Sequence, residues 1–489
     1  MRSLFVTAAL LAVLATPSLA QDRFVAIKAK KVITGTGQEF SPGMLVIRNG
    51  KVEAVGTKVS LPPKCEVIEA PDQVLMPGLV LARSRYSLPS RRRSGNNSHL
   101  DVRKELFPRP GDMEDLLKAG IVAVALIPDG NGVPGRAIVL RPTDGEVDDR
   151  LLAGAGYLRI TMDRLPTDKL TLRGAFKEAE SWIERIKKAR EAWEKQQKSA
   201  AAAAAAKKAA EAAKKKAQEQ KGKTPPAPKP QPKPAPKPKP KRSSSSKAAE
   251  ALGHDHDDPN EGIEPALAGV DPESLDAAPT PKRPTRPTPQ TGKTFTPPKT
   301  PERAEVFMTF LQKPKEGPRV LLELGGASDY LHFVDGFGER KLDPFLYLGN
   351  RGTESDLFHV IDKIGESGAT VLLHPRITYE PYTRTQRNLP LELSRAGCPV
   401  AFVPTQSLQG WREEVALLIR AGFDREEAIA AITKRPAQLV GLGTELGTLE
   451  KGRLADVILL DDDPFAPGAT VQRVFLGGEP VWSAEEETE

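Results

Sequence analysis

The chain has 489 residues, too many for one compact core, and length alone sets an expectation of about three domains. Aromatics are sparse at 5%, the 45 prolines exceed a globular share, and no stretch approaches the roughly eighteen apolar residues that cross a bilayer. Two cysteines, Cys65 and Cys398, are too few for a disulfide framework and read as separate buried thiols.

MRSLFVTAALLAVLATPSLAQD opens the sequence. Arg2, the apolar run Leu4–Leu14, Pro17 and the small-x-small site Ser18-Leu19-Ala20 spell a secretory signal peptide over 1–20. Gln21 follows where a lipoprotein would carry Cys. The expected location is periplasmic or extracellular.

Residues 21–76 read as short strands: Phe24–Ile27, Lys31–Ile33, Met44–Ile47 and Val52–Val55, punctuated by glycines. Asn49-Gly50 between two of them predicts a type I′ hairpin turn, because both residues accept positive φ. From residue 77 strands alternate with helices. Gly120–Leu126, Arg319–Leu324, Ala369–Leu373 and Cys398–Phe402 are continuously apolar, as the strands of a parallel sheet or barrel are. Phe176, Ala179, Ile183, Ile186 and Trp193 predict an amphipathic helix starting near Gly174.

That helix runs into an Ala/Lys tract, a Pro-Lys tract and an acidic stretch, and 198–300 reads as a disordered insert. Fifteen Lys/Arg against two Glu in 198–247 account for thirteen of the positive charges. The whole chain carries +7, so the remainder is net −6 and the basic pI says little about the folded surface. The insert has no interleaved aromatics for base stacking, so no specific nucleic-acid recognition is expected. His254-Asp255-His256 reads as part of a solvated acidic loop. Strand-like runs return at Asp456–Leu460 and Val471–Leu476, so 438–489 pairs with 21–76 in the expectation of a composite β-sandwich built from both termini.

Both ends carry a specific resemblance. Val32-Ile33-Thr34-Gly35-Thr36-Gly37, Asn49-Gly50-Lys51-Val52 and Met76-Pro77-Gly78-Leu79, with Lys434-Arg435-Pro436-Ala437 and Gly452-Arg453-Leu454-Ala455-Asp456-Val457, resemble the amidohydrolase superfamily, in its imidazolonepropionase-like group. The resemblance implies an α/β fold, a (β/α)8 TIM-like barrel over 77–197 and 301–437 beside the sandwich. It also implies a hydrolase of non-peptide C–N bonds that uses zinc or another divalent metal to activate water.

Carried over by local frame, the expected ligand positions hold other residues. Arg83 and Arg85 stand for the His-x-His after the first barrel strand, Glu323 and Asn350 for histidines after the fifth and sixth, and Gln406 for the aspartate after the eighth. Guanidinium nitrogens have no lone pair to give a metal. His374 alone among the six histidines ends a barrel strand, the seventh, and reads as a structural or ligand-facing residue. No Gly-x-Ser-x-Gly elbow, phosphate loop or Cys–His pair offers another chemistry. The expectation is a protein with no metal cofactor that binds or scaffolds, a pseudoenzyme; the alternative is a hydrolase acting through an unrecognised site. Two readings of the arginines stay open: an anion-binding mouth for a small molecule or acidic polymer, and ion pairs with Glu323 in a filled pocket.

Overall fold

The computed structural model describes residues 22–152, 154–162, 166–220, 294–340, 342–349, 355–405 and 407–487. The signal-peptide pattern, most of the insert, Asn350 and Gln406 lie outside these described residues. Contacts divide the chain into two compact units, Met1–Arg185 with Lys299–Glu489, and Ile186–Pro298.

In the larger unit the first strands are β1 (Phe24–Ile33), β2 (Glu39–Phe40), β3 (Gly43–Arg48), β4 (Lys51–Gly56) and β5 (Glu66–Pro77). Phe24–Ile27 and Lys31–Ile33 are thus one strand, its irregularity between Ala29 and Lys31 taken up as a register shift against β5. Asn49 and Gly50 have φ of 49° and 79°, the geometry a type I′ turn needs between β3 and β4.

β5 passes almost directly into β6 (Leu79–Ser84), with Gly78 between them. That glycine is a matter of space: a Cβ there would lie 2.2 Å from Val122 Cγ1. Next come β7 (Ile121–Leu126), β8 (Gly135–Arg136), β9 (Ile138–Leu140), β10 (Leu158–Thr161), β11 (Val320–Leu324), β12 (Phe345–Leu348), β13 (Val371–Leu373) and β14 (Val400–Phe402). β6 and β7 are parallel, and so are β10 through β14 in order.

The closed eight-stranded parallel barrel is therefore not what the hydrogen bonds draw. Among the described residues the parallel strands β6 and β7, and β10 through β14, fall in two sheets, and the segment Gly135–Leu140 between them runs antiparallel. Its first half pairs with β10 and its second half with β7. The reason is length: residues 127–134 are too few for the crossover of a dozen or more that returns a chain parallel. Between β14 and β6 no strand pairing is drawn among the described residues; the helix Lys434–Val440 packs against both, and Arg435 Nη1 donates to Val400 O at 3.1 Å.

The last strands are β15 (Val457–Leu460), β16 (Val471–Leu476) and β17 (Glu479–Ser483). β15 pairs antiparallel with the end of β5, Val457 opposite Pro77, so both termini contribute to one eight-stranded sheet. Where a composite β-sandwich built from both termini was expected, the hydrogen bonds draw this one sheet. A single strand, β5, is hydrogen-bonded to β1 along most of its length and to β15 at its end, which welds the ends edge to edge. Ile27, Leu45, Leu75, Val457 and Phe475 share a core of their own on this sheet. Leu449 N donates to Thr34 O at 2.8 Å, which joins the motifs at the two ends.

The helix predicted near Gly174 begins earlier and spans Thr167–Gln220. Its first turns bury Leu172, Ala175, Phe176 and Ala179, with Phe176 edge-on to Phe307 at 5.0 Å. In the smaller unit the helix continues through the Ala/Lys tract, so 198–220 is helical rather than disordered. Alanine loses no side-chain entropy in a helix, and a tract rich in it needs no apolar stripe to prefer that state. Of the remainder of the proposed disordered insert, 221–293 lies outside the described residues.

Candidate functional site

Strands of both parallel sheets bring one cluster together. Arg83 comes from β6, Arg159 from β10, Glu323 from β11, Tyr347 from β12, and His374 follows β13. Glu323 accepts from Arg83 Nε at 2.7 Å on one carboxylate oxygen and from Arg159 Nη2 at 2.5 Å on the other. Glu323 and Arg159 are each 7% exposed. Arg159 is held further by Pro128 O and Gly130 O, at 2.8 and 3.1 Å. The Arg83 guanidinium lies over the Tyr347 ring, 4.0 Å from its centroid.

Burial opposes ionisation of Glu323, but the Arg83 and Arg159 charges outweigh it and hold its carboxyl down at about 2. Burial works against the Arg83 charge as well, and Glu323 more than compensates, so Arg83 stays a cation. Burial raises the Tyr157 and Tyr347 phenols above their usual value. Tyr157 OH donates to Ala82 O at 2.7 Å, beside Arg83.

His374 Nδ1 lies 3.2 Å from Val403 O, and Nε2 lies 3.0 Å from Tyr347 OH. Burial, followed by the charge of Arg376, lowers the His374 pKa below its usual value. The ring is then neutral at pH 7. A carbonyl can only accept, so Nδ1 carries the proton and Nε2 accepts from the Tyr347 hydroxyl.

The two arginines expected to share the barrel mouth part company. β6 ends at Ser84, so the alternation that would align Arg83 with Arg85 stops between them. Arg85 turns to Asp129 at 3.1 Å and to Pro89 O at 2.9 Å. The pairing of Arg83 with Glu323 is the filled-pocket arrangement. Arg159 and Tyr347 complete it, and neither stood out in the sequence. Their one signal was an arginine inside the otherwise apolar Leu158-Arg159-Ile160, costly in a buried strand unless paired. Glu414 was missed too; it accepts from Thr405 N at 3.0 Å, and burial raises its carboxyl pKa.

These residues do not fit the metal that the resemblance implies. Zinc requires lone-pair donors, Arg83 has none, and both oxygens of Glu323 already accept from guanidiniums. Among the described residues no group of three or more His, Cys, Asp or Glu could hold a metal ion. A cleft of about 910 Å³ opens elsewhere at the strand ends, lined by Gly325, Asp329, Asp356, Phe358, Glu380 and Tyr382 among others, and none of the described candidate residues lines it.

Residues 378–482 match the amidohydrolase family. N-acetylglucosamine-6-phosphate deacetylase of Homo sapiens is 41% identical over 99 residues, 19% of this chain and 23% of that protein. The Rattus norvegicus deacetylase is 37% identical over 93 residues, 18% and 22% of the two chains. Adenine deaminase 2 of Jannaschia sp. (strain CCS1) is 40% identical over 67 residues, 14% of this chain and 10% of that one. The chain spans less than a quarter of the length of these relatives. An amidohydrolase from Thermotoga maritima MSB8 superposes with a TM-score of 0.58 over 94% of this chain and all of that one, at 18% identity. The amidohydrolase likeness is thus one of fold across nearly the whole chain and of sequence in the C-terminal part.

Proposed function

We propose that this chain is an exported, imidazolonepropionase-like member of the amidohydrolase superfamily that binds or scaffolds and does not hydrolyse. The observation that carries this reading is Glu323, clasped between Arg83 and Arg159 where a metal-dependent relative would need free donors. Removing either partner of such a buried set would leave an uncompensated charge, so the pairing resists exchange for a metal. Export rests on the signal-peptide pattern over 1–20, and a secreted product beginning at Gln21 by mass spectrometry would support it.

The test is elemental analysis of protein purified without chelator and dialysed. Well below one zinc per chain is expected, and one or more retained per chain would overturn the reading. The hydrolase alternative draws on the identity to deacetylases and a deaminase over 99 and 67 residues. Hydrolysis of an N-acetyl amide by the dialysed protein, lost in Glu323→Gln, would favour that alternative.

A further inference from the structure

Arg83 uses only part of its guanidinium. Nε donates to Glu323 and the plane rests on Tyr347. Nη1 and Nη2 make no hydrogen bond among the described residues, and neither is among the buried atoms left without a partner. Arg83 has 22% of its side chain exposed, so this edge reaches solvent at the end of β6. Two parallel N–H donors on a fixed plane are the geometry that grips two oxygens of one oxyanion.

The surroundings favour the same ligand. The charge of Arg376 acts on both Tyr347 and His374, and that of Arg159 on Tyr347. Within the cluster Arg83 and Arg159 share the single carboxylate of Glu323, which leaves one positive charge there. Glu323 fixes the guanidinium from one side and Tyr347 from below, so little side-chain freedom is lost when a ligand arrives. Lysine could keep the charge at this position but could not present the fork.

We infer that the outward edge of Arg83 is a subsite for an oxyanion, the carboxylate or phosphate group of a small ligand, held by paired hydrogen bonds from Nη1 and Nη2. This rests on the reading of the site as a binding site and names the ligand chemistry it takes.

The test is calorimetric titration of inorganic phosphate, and separately of acetate, into full-length protein stripped with chelator and into a zinc-incubated sample. Saturable binding of at least one anion to the stripped protein is expected, weakened tenfold or more in Arg83→Lys. No saturable binding of either anion, or unchanged affinity in Arg83→Lys, overturns the inference. Should Arg83→Lys not fold, Arg83→Gln/Glu323→Gln removes one charge of each sign and must show the same loss. If zinc is retained after dialysis, the binding-protein reading falls, while the stripped sample still decides the oxyanion subsite.

Discussion

Arg141 donates to both carboxylate oxygens of Asp456, at 2.9 and 3.2 Å, and so ties the segment after β9 to the turn before β15. Asp456 is 3% exposed, and its Oδ1 also accepts from Gly477 N at 2.7 Å. Its own carbonyl accepts from Gly78 N at 3.0 Å. One residue thus fastens the passage from β5 into β6 to the start of β15. Asp456→Ala is expected to lower unfolding free energy by about 3 kcal/mol, because it strands the partly buried Arg141 and an amide. Asp456→Asn keeps an acceptor for Gly477 and should cost about half as much. Urea titrations of the two variants check the order, and equal losses would count against a contribution from the acceptor to Gly477.

Acid should unfold the protein through Glu323 and not through Asp456. Burial raises the Asp456 carboxyl above its usual value against the pull of Arg141, so protonating it on acidification relieves a cost. Glu323 is the reverse, its pKa depressed from 4.5 to about 2. Its contribution is complete above pH 4.5 and is lost as pH falls towards 2, about 3 kcal/mol in all. Denaturant midpoints measured at pH 6, 4 and 3 should fall accordingly. In Glu323→Gln, already less stable at pH 6, this part of the pH dependence should vanish.

Gly78→Ala puts a methyl into the Val122 side chain with backbone fixed on both sides. A loss of about 1–3 kcal/mol is expected from overpacking. Val122→Ala in the same chain should recover part of it, and thermal melts of the single and double variants measure the recovery.

Replacing 198–298 by a short Gly/Ser linker should leave the main calorimetric transition within about 3 °C of the full chain. The buried cores of the larger unit draw on residues before Arg185 and after Lys299, and the Phe176–Phe307 contact lies wholly inside it. A fall of ten degrees or more would mean that the removed segment stabilises that unit.

How far the sequence could be read depended on how local the cause was. Asn49-Gly50 foretold its turn because the turn is made by those two residues alone. Arg83 and Glu323 were each picked from their frames, but their contact joins positions 240 residues apart, beyond any periodicity. Arg159 did not stand out in the sequence; it is inside because β10 has both faces covered, so alternation there does not mean exposure. Ile138-Val139-Leu140 carries no sign of its direction, and only the short connection before it forces the antiparallel course. The Ala/Lys tract lacked an apolar face, which hid that propensity alone could carry the helix onward.

The pairing of β5 with β15 also sets an order of events. The strands before Pro77 are synthesised first, yet the Val74–Pro77 edge meets its partner only when Val457–Leu460 has been made. Sheet completion is therefore the closing of a very long loop, a slow step by topology. Until then an apolar strand edge, Val74-Leu75-Met76, stays open to any other chain in reach. A polypeptide cut before Val457 would keep that edge for good, and aggregation, not mere loss of stability, is the fate to look for.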